Sequence, residues 1–156
     1  MRRINIDMKK FKFNLENVLK YRKNVESYEK TVLSGYNGHL LKLLDELEAL
    51  NRDYERISEE FEELSSRGIT VHQIRSSHAM MENLEYSIER KIKEIETQQK
   101  LINRQTNVVM NAIKDAKILD KLKETKLEKY KKSEDKSNEA FIEEFVSYQS
   151  LTNDKK

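Results

Sequence analysis

The chain has 156 residues, of which 37% are charged, and its formal net charge is only +2. It contains no cysteine, which excludes a disulfide framework, a thiolate zinc site and a cysteine nucleophile. It also contains no proline and only three glycines, and its abundant Glu, Lys, Leu and Ile predict long helices with a narrow apolar seam rather than a wide core.

The first predicted helix covers about residues 13–65. Apolar and semi-apolar residues recur in it at spacings of three and four, which is a heptad pattern with one slip. The slip falls across LSGYNGHL, where Gly35 and Gly38 weaken the helix, and we interpret the pair as tolerated rather than as a functional hinge. The predicted seam is Val18, Tyr21, Val25, Tyr28, Val32, Tyr36, Leu40, Leu43, Leu47, Leu50, Tyr54, Ile57, Phe61 and Leu64.

A turn is predicted at about residues 66–70, in the sequence SSRGIT. Gly68 suits a helix C-terminal cap in the left-handed conformation. Thr70, followed three positions later by Gln73, has the pattern of a capping box. The second helix should therefore begin near Val71.

The second helix is predicted over residues 71–137 or beyond. Gln99 and Thr106 are polar members of its predicted seam and would help to fix the register. Farther on, the sequence AFIEEFVSY at 140–148 has a second apolar face, and residues 151–156 are expected to form a tail. The predicted seam is Ile74, His78, Met81, Leu84, Ile88, Ile92, Ile95, Gln99, Ile102, Thr106, Val109, Ile113, Ala116 and Leu119.

Two long helices joined by a short turn must fold back on each other. The predicted fold is all-α: a long antiparallel two-helix coiled-coil hairpin with an extended C-terminal helix, forming a single domain over residues 1–150. Residue i should pair with roughly residue 136 minus i. Residues 1–14 carry five Lys/Arg against one Asp, and residues 45–64 carry nine acids against two Arg, so a basic pole at the termini and an acidic pole near the turn are expected.

The residues favour no catalytic or ligand-binding chemistry. His78 and Glu82 share a helical face, but a third metal ligand is missing, and the sequence has no phosphate-binding glycine loop and no hydrolase motif. We therefore predict no enzyme, no cofactor and no metal site. The basic stretches lack an Arg-rich stripe, and no segment approaches the roughly 18 apolar residues of a membrane span, so we expect neither nucleic-acid binding nor direct membrane insertion. The N-terminus lacks a secretory signal pattern, and a cytoplasmic protein is expected.

Two groups of residues are candidates for binding partner proteins. Phe11, Phe13 and Leu15 stand among lysines in MKKFKFNLENVLKYRKN, and they could serve a lipid surface, a nucleic acid or another protein. Met80 and Leu84 lie near the turn, and a flexible Met on an exposed helix face often marks an adaptable binding surface.

The stretch FKFNLENVLKYRKN resembles the opening signature of the flagellar export protein FliJ family. AKILDKLKETK at 116–126 resembles the family's second block, KSNEAF at 136–141 is similar to its usual ending, and the turn at GIT lies where that family turns. The resemblance covers about residues 8–145. Gly35, Gly38 and the apolar AFIEEFVSY depart from the pattern.

This resemblance implies a hairpin like the central stalk of rotary ATPases, in the type III export apparatus of the flagellum. Its implied partners are the hexameric export ATPase, the membrane export gate and export chaperones, at the cytoplasmic face of the inner membrane. Phe11, Phe13, Leu15 and the helix at 122–137 would then face the ATPase ring, and Met80 and Leu84 would meet the gate or a chaperone. Two alternatives stay open: a structural coiled-coil spacer or dimerisation module, and the equivalent stalk of an injectisome.

Overall fold

The computed structural model describes residues 10–153, with side chains described for residues 10–147. Helix α1 spans Glu16–Arg67 and helix α2 spans Val71–Asn153, and the described range contains no strand. The two long helices pack against each other, so the predicted all-α antiparallel hairpin is confirmed. Helix α2 has 83 residues and α1 has 52, so α2 is the longer helix.

Local signals at the turn explain where the helices end and begin. Gly68 has φ of +98°, a left-handed conformation that glycine adopts without steric cost, directly after the last residue of α1. Before α2, the Gln73 N–H donates to Thr70 Oγ1 at 3.3 Å, and the Thr70 N–H donates to Gln73 Oε1 at 3.0 Å. These reciprocal hydrogen bonds confirm the predicted capping box.

The chain divides into two compact units, which we describe separately. The central unit is Glu26–Asn111. The terminal unit comprises Met1–Val25 and Ala112–Lys156, of which residues 10–25 and 112–153 are described.

In the central unit, the face of α1 that meets α2 follows an unbroken heptad. The predicted slip across Gly35 and Gly38 is wrong, because Glu26, Glu29 and Leu33 are at least partly buried while Tyr28 is exposed. The helix is continuous through both glycines, and a Cβ at either would meet open space. The positions on this face are 26, 29, 33, 36, 40, 43, 47, 50, 54, 57 and 61.

The seam of α2 that faces α1 contains polar side chains. Two of them lie one residue before the predicted seam position. Gln98 is 7% exposed and its neighbour Gln99 is exposed. In the same way, Lys91 is half-buried and Ile92 is exposed. Gln105 and Thr106 are both half-buried.

Three of these polar seam residues, Lys91, Gln98 and Gln105, are accommodated because each has a partner on α1, whereas Thr106 donates to the Ile102 carbonyl within α2. The Gln98 side-chain amide donates to the backbone carbonyl of Tyr36 at 2.8 Å. Gln105, one heptad later, donates to the carbonyl of Glu29, one heptad earlier, at 3.2 Å. Buried polar groups are tolerated when they are hydrogen-bonded, so polar residues can occupy this seam.

The terminal unit has a small core at which α2 presents alanines. Phe13, Leu19, Ala112 and Ala116 are buried, and small side chains on one helix leave room for larger ones on the other. Leu19 therefore occupies the seam in place of the predicted Val18, which is exposed. Ion pairs flank this core, namely Arg22–Asp115 at 3.0 Å, Lys23–Asp120 at 2.9 Å and Glu16–Lys123 at 2.7 Å.

Helix α2 continues well past residue 137. Residues 140–147 are helical and exposed, including Phe141, Ile142 and Phe145. Of the predicted tail, residues 151–153 belong to α2 and residues 154–156 lie outside the described range. No helix among the described residues is long and apolar enough to cross a membrane.

Candidate partner-binding surfaces

The predicted aromatic residues of the terminal unit lie against α2. Phe13 is 5% exposed, and Lys126 Nζ stands 5.7 Å from the centroid of its ring. The half-buried Phe11 ring lies 5.7 Å from the Tyr130 ring, with the two planes tilted by 54°. Much of the aromatic surface is therefore already used within the chain.

The alternation of Phe and Lys reflects a non-helical segment that precedes α1. Residues 10–13 are not helical, and the Glu16 N–H donates to the Phe13 carbonyl at 3.1 Å as the helix begins. Lys10 and Lys12 are exposed, whereas Phe11 and Phe13 pack inward. Side chains of an extended segment alternate between two sides, so one side covers α2 and the other presents lysines.

An open groove lies beside this segment. Lys12 and Asn14 line it from the segment, Asn17 from α1 and Lys123 from α2. Glu16 neutralises Lys123 through their ion pair, whereas Lys12 is exposed. The groove therefore offers amide groups and one positive charge to a polar or acidic segment. Leu15, also predicted for partner binding, is half-buried.

The same unit has an exposed apolar pair that was not predicted from the sequence. Tyr21 is 63% exposed and Val18 is also exposed, with Lys20 between them. Their heptad-like spacing predicts that both lie in the seam. The heptad on α1 has no slip, and an uninterrupted heptad does not pass through Val18 and Tyr21. A sequence prediction without the slip would therefore have placed both residues on the surface.

The second predicted pair lies in the central unit, and its two members differ in exposure. Met80 is 54% exposed, while Leu84 is half-buried and falls on the seam face with Met81 and Ile88. Tyr86, also on α2, is 67% exposed. Met80 and Leu84 therefore do not form one exposed stripe, and only Met80 can be changed without affecting the packing.

Ion pairs account for the shifted pKa values of the central unit. Lys91 Nζ donates to Glu46 at 2.8 Å and to Glu94 at 2.6 Å, and these contacts raise the pKa of Lys91. The hydrogen bond from Lys91 lowers the pKa of Glu94. The Tyr54 hydroxyl donates to Glu85 at 2.9 Å, which raises the pKa of Tyr54. Lys91–Glu46 and Tyr54–Glu85 join α1 to α2, whereas Lys91–Glu94 lies within α2, so these contacts stabilise the helices and their pairing.

The described residues do not include a group of three or more His, Asp or Glu side chains arranged to hold a metal ion. The sites that the structure does show are surfaces: a groove, an exposed apolar pair and an exposed methionine. Their chemistry suits contact with other proteins.

The family model described as the flagellar FliJ protein matches residues 11–155, nearly the whole chain. The chain belongs to the FliJ family. FliJ proteins are non-enzymatic components of the flagellar export apparatus, so a role related to flagellar export, with interactions among components of that apparatus, follows in general terms. Neither a curated protein nor a solved structure matches the chain.

Proposed function

We propose that the protein is a non-enzymatic adaptor and stalk of the flagellar type III export apparatus. In this role it engages and stimulates the hexameric export ATPase, contacts the membrane export gate and escorts export chaperones. It acts in the cytoplasm, peripheral to the inner-membrane export apparatus. The observation that carries the proposal is the FliJ family match over residues 11–155 of a chain whose two long helices pack as a hairpin.

A stalk needs no catalytic residue of its own. It favours one conformation of the ATPase over another only through contacts that differ between the two conformations. The terminal unit supplies suitable groups: the exposed Lys12 beside the groove, and the exposed Tyr21 and Val18 on α1. Phe11, Phe13 and Leu15 belong to the same unit, and Phe11 and Leu15 are only half-buried.

The hydrolysis rate of the candidate export ATPase tests the ATPase contact. The wild-type chain should raise this rate, and the Lys12→Glu, Tyr21→Ser double variant should raise it less while its thermal unfolding stays unchanged. Tyr86→Ser is the matched control, because Tyr86 is similarly exposed but lies in the central unit. No effect of the wild-type chain on hydrolysis or on ring assembly would refute the proposed stalk.

The gate and chaperone contacts are assigned to the exposed Met80 of the central unit. Met80→Glu should weaken binding of the export gate protein or a chaperone and leave ATPase stimulation intact. Leu84→Glu is unsuitable alone, because Leu84 is half-buried on the seam face and the change would disturb packing. If Met80→Glu left the binding of both proteins unchanged, this assignment would fall without affecting the ATPase contact.

A further inference from the structure

Helix α2 continues beyond the point where α1 begins. Glu16, the first residue of α1, forms its ion pair with Lys123, so α1 begins opposite this part of α2. The non-helical segment before α1 reaches Tyr130. Beyond it, residues 131–147 are helical and exposed apart from the half-buried Glu134. We call residues 125–147 the extension, and no second helix covers it among the described residues.

One face of the extension is apolar. It includes four exposed residues, Phe141, Ile142, Phe145 and Val146. The half-buried Leu127 lies on the same face as Phe145, because the 18 residues that separate them make five complete helical turns. A group of exposed apolar residues of this kind marks a contact with another protein surface.

The two halves of the extension carry opposite charges. Residues 125–133 contain four lysines and one glutamate, whereas residues 134–146 contain five acids and one lysine. Two such helices attract each other when they run in opposite directions and repel each other when they run in the same direction. Four charged residues of the extension are exposed and make no ion pair with another described residue: Lys129, Lys132, Glu139 and Glu143.

We propose that a second copy of this chain covers the apolar face, with the two extensions packed antiparallel. The twofold axis passes near position 136, so residue i of one copy lies opposite roughly residue 272 minus i of the other. In this register, Phe145 of each copy meets Leu127 of the other copy. The two extensions then overlap over about 33 Å, at 1.5 Å per residue. The inference does not depend on the flagellar function of the protein.

Charged residues along one edge of the contact fix the register. Lys132 of one copy lies opposite Glu139 of the other, and Lys129 lies opposite Glu143. All four lie within about 80° of one another around the helix axis, so they share one side of the apolar face. Flanking charges of this kind set the orientation of paired helices. Each pair occurs twice across the twofold axis, and several charges acting together contribute more than one exposed ion pair does.

Sedimentation equilibrium of the full chain at several concentrations tests the self-association. We expect a reversible equilibrium between monomer and dimer. Its dissociation constant should rise as NaCl is raised from about 50 to about 500 mM, because salt screens the attraction between exposed charges. A chain that stayed monomeric at every concentration would overturn the proposal and leave the face open to a different protein. Tighter association at high salt would overturn the antiparallel arrangement, since it would indicate that like charges face each other.

Charge reversal tests the direction and register of the pairing. One variant carries Glu139→Lys with Glu143→Lys, and the other carries Lys129→Glu with Lys132→Glu. Each alone should raise the dissociation constant at least about tenfold, because like charges then lie opposite each other. An equimolar mixture of the two should form a dimer of about wild-type affinity, since every reversed residue then faces an opposite charge. Failure of the mixture to associate would refute the antiparallel pairing.

The control for charge reversal carries Glu59→Lys with Glu62→Lys. Both residues are exposed and lie in the central unit, and the change in net charge equals that of the variant at 139 and 143. We expect the control to leave the dissociation constant unchanged. Equal weakening in the control would show that net charge, rather than the position of the charges, governs association, and the proposed contact would be wrong. Circular dichroism should show unaltered helicity in every variant, because all the substituted residues are exposed.

The apolar contribution is tested by Phe141→Ser with Phe145→Ser. This variant should raise the dissociation constant at least about tenfold, because two aromatic side chains no longer become buried on association. Thermal unfolding at a concentration where the wild-type chain is monomeric should be unchanged, since both rings are exposed. Tyr86→Ser, at an exposed aromatic residue of the central unit, is the control and should not alter association. If the phenylalanine substitutions had no effect, the apolar face would not be the contact.

Discussion

The side-chain amide of Gln98 on α2 donates a hydrogen bond to the backbone carbonyl of Tyr36 on α1, at 2.8 Å. Tyr36 lies within a continuous helix, so its carbonyl also accepts the usual hydrogen bond from the residue four positions later. A backbone carbonyl oxygen can accept two hydrogen bonds, so a buried glutamine can link the helices without breaking a bond within α1. Gln105 makes the same kind of contact with Glu29 one heptad away.

Gln98→Glu should destabilise the chain by about 1–3 kcal/mol, because a carboxylate cannot donate to a carbonyl and would be desolvated beside it. Gln99→Glu is the matched control, and we expect it to change stability by less than about 0.5 kcal/mol, since Gln99 is exposed. Chemical denaturation followed by circular dichroism measures both. A larger effect at position 99 would mean that the seam passes through Gln99.

The three glycines should respond in opposite directions to the same substitution. Gly68→Ala should cost about 1–2 kcal/mol, because its φ of +98° is unfavourable for a residue with a Cβ. Gly35→Ala and Gly38→Ala should each stabilise the chain by up to about 1 kcal/mol, since both are helical and a Cβ there meets open space. Thermal unfolding of the three single variants provides the comparison.

A functional assay of the same variants tests whether the helical glycines act as a hinge. If Gly38→Ala raises stability and leaves export-dependent motility unchanged, the interpretation of a tolerated glycine stands. Stabilisation accompanied by loss of motility would instead indicate that flexibility at this point of α1 is needed.

Phe13→Ala should lower the free energy of unfolding by about 3 kcal/mol or more, because the ring is almost fully buried. Phe11→Ala should cost less, since Phe11 is only half-buried. Tyr21→Ala, an aromatic truncation at an exposed position of the same unit, should have little effect on stability. Urea denaturation measures all three. If Phe13→Ala were as mild as Tyr21→Ala, Phe13 would have to be regarded as a surface residue available to partners.

Acidification should weaken the contact between Lys91 and Glu94. The pKa of Glu94 is lowered in the folded chain, chiefly by its hydrogen bond from Lys91. The stabilisation is therefore fully present above the unfolded pKa of about 4.3 and is lost as the pH falls through the lower, folded value. Lys91→Met should raise the pKa of Glu94, as measured by an NMR titration of its carboxyl carbon. Lys93→Met is the control, and an equal shift in that variant would show that the Lys91 contact is not the cause.

Several elements of the fold were predictable because their causes are local. The absence of proline allowed long helices, Gly68 marked the end of α1, and Thr70 with Gln73 marked the start of α2. A short turn between long helices requires an antiparallel hairpin. Of the candidate surfaces, the sequence identified Met80 as an exposed apolar residue but placed Tyr21 in the seam.

The faces that meet were harder to predict because two neighbouring stripes compete on each helix. On α1, Val18, Tyr21 and Tyr28 form the more apolar stripe, yet all three are exposed. The stripe containing Leu19 and Glu29 packs instead. A count of apolar residues cannot detect this choice, since a polar member of the buried stripe can be stabilised by a residue far away in the sequence: the Glu29 carboxylate accepts a hydrogen bond from Gln105, 76 positions later.

The amino-acid sequence alone therefore determined the helical class, the position of the turn and the antiparallel pairing, all of which depend on backbone preferences and chain length. Only the tertiary structure decided which face of each helix is buried, that Gln98 rather than Gln99 enters the seam, and that Phe13 is part of the core. The physical reason is that a polar residue's cost of burial depends on its partner across the interface, and the partner is known only when the two helices are packed.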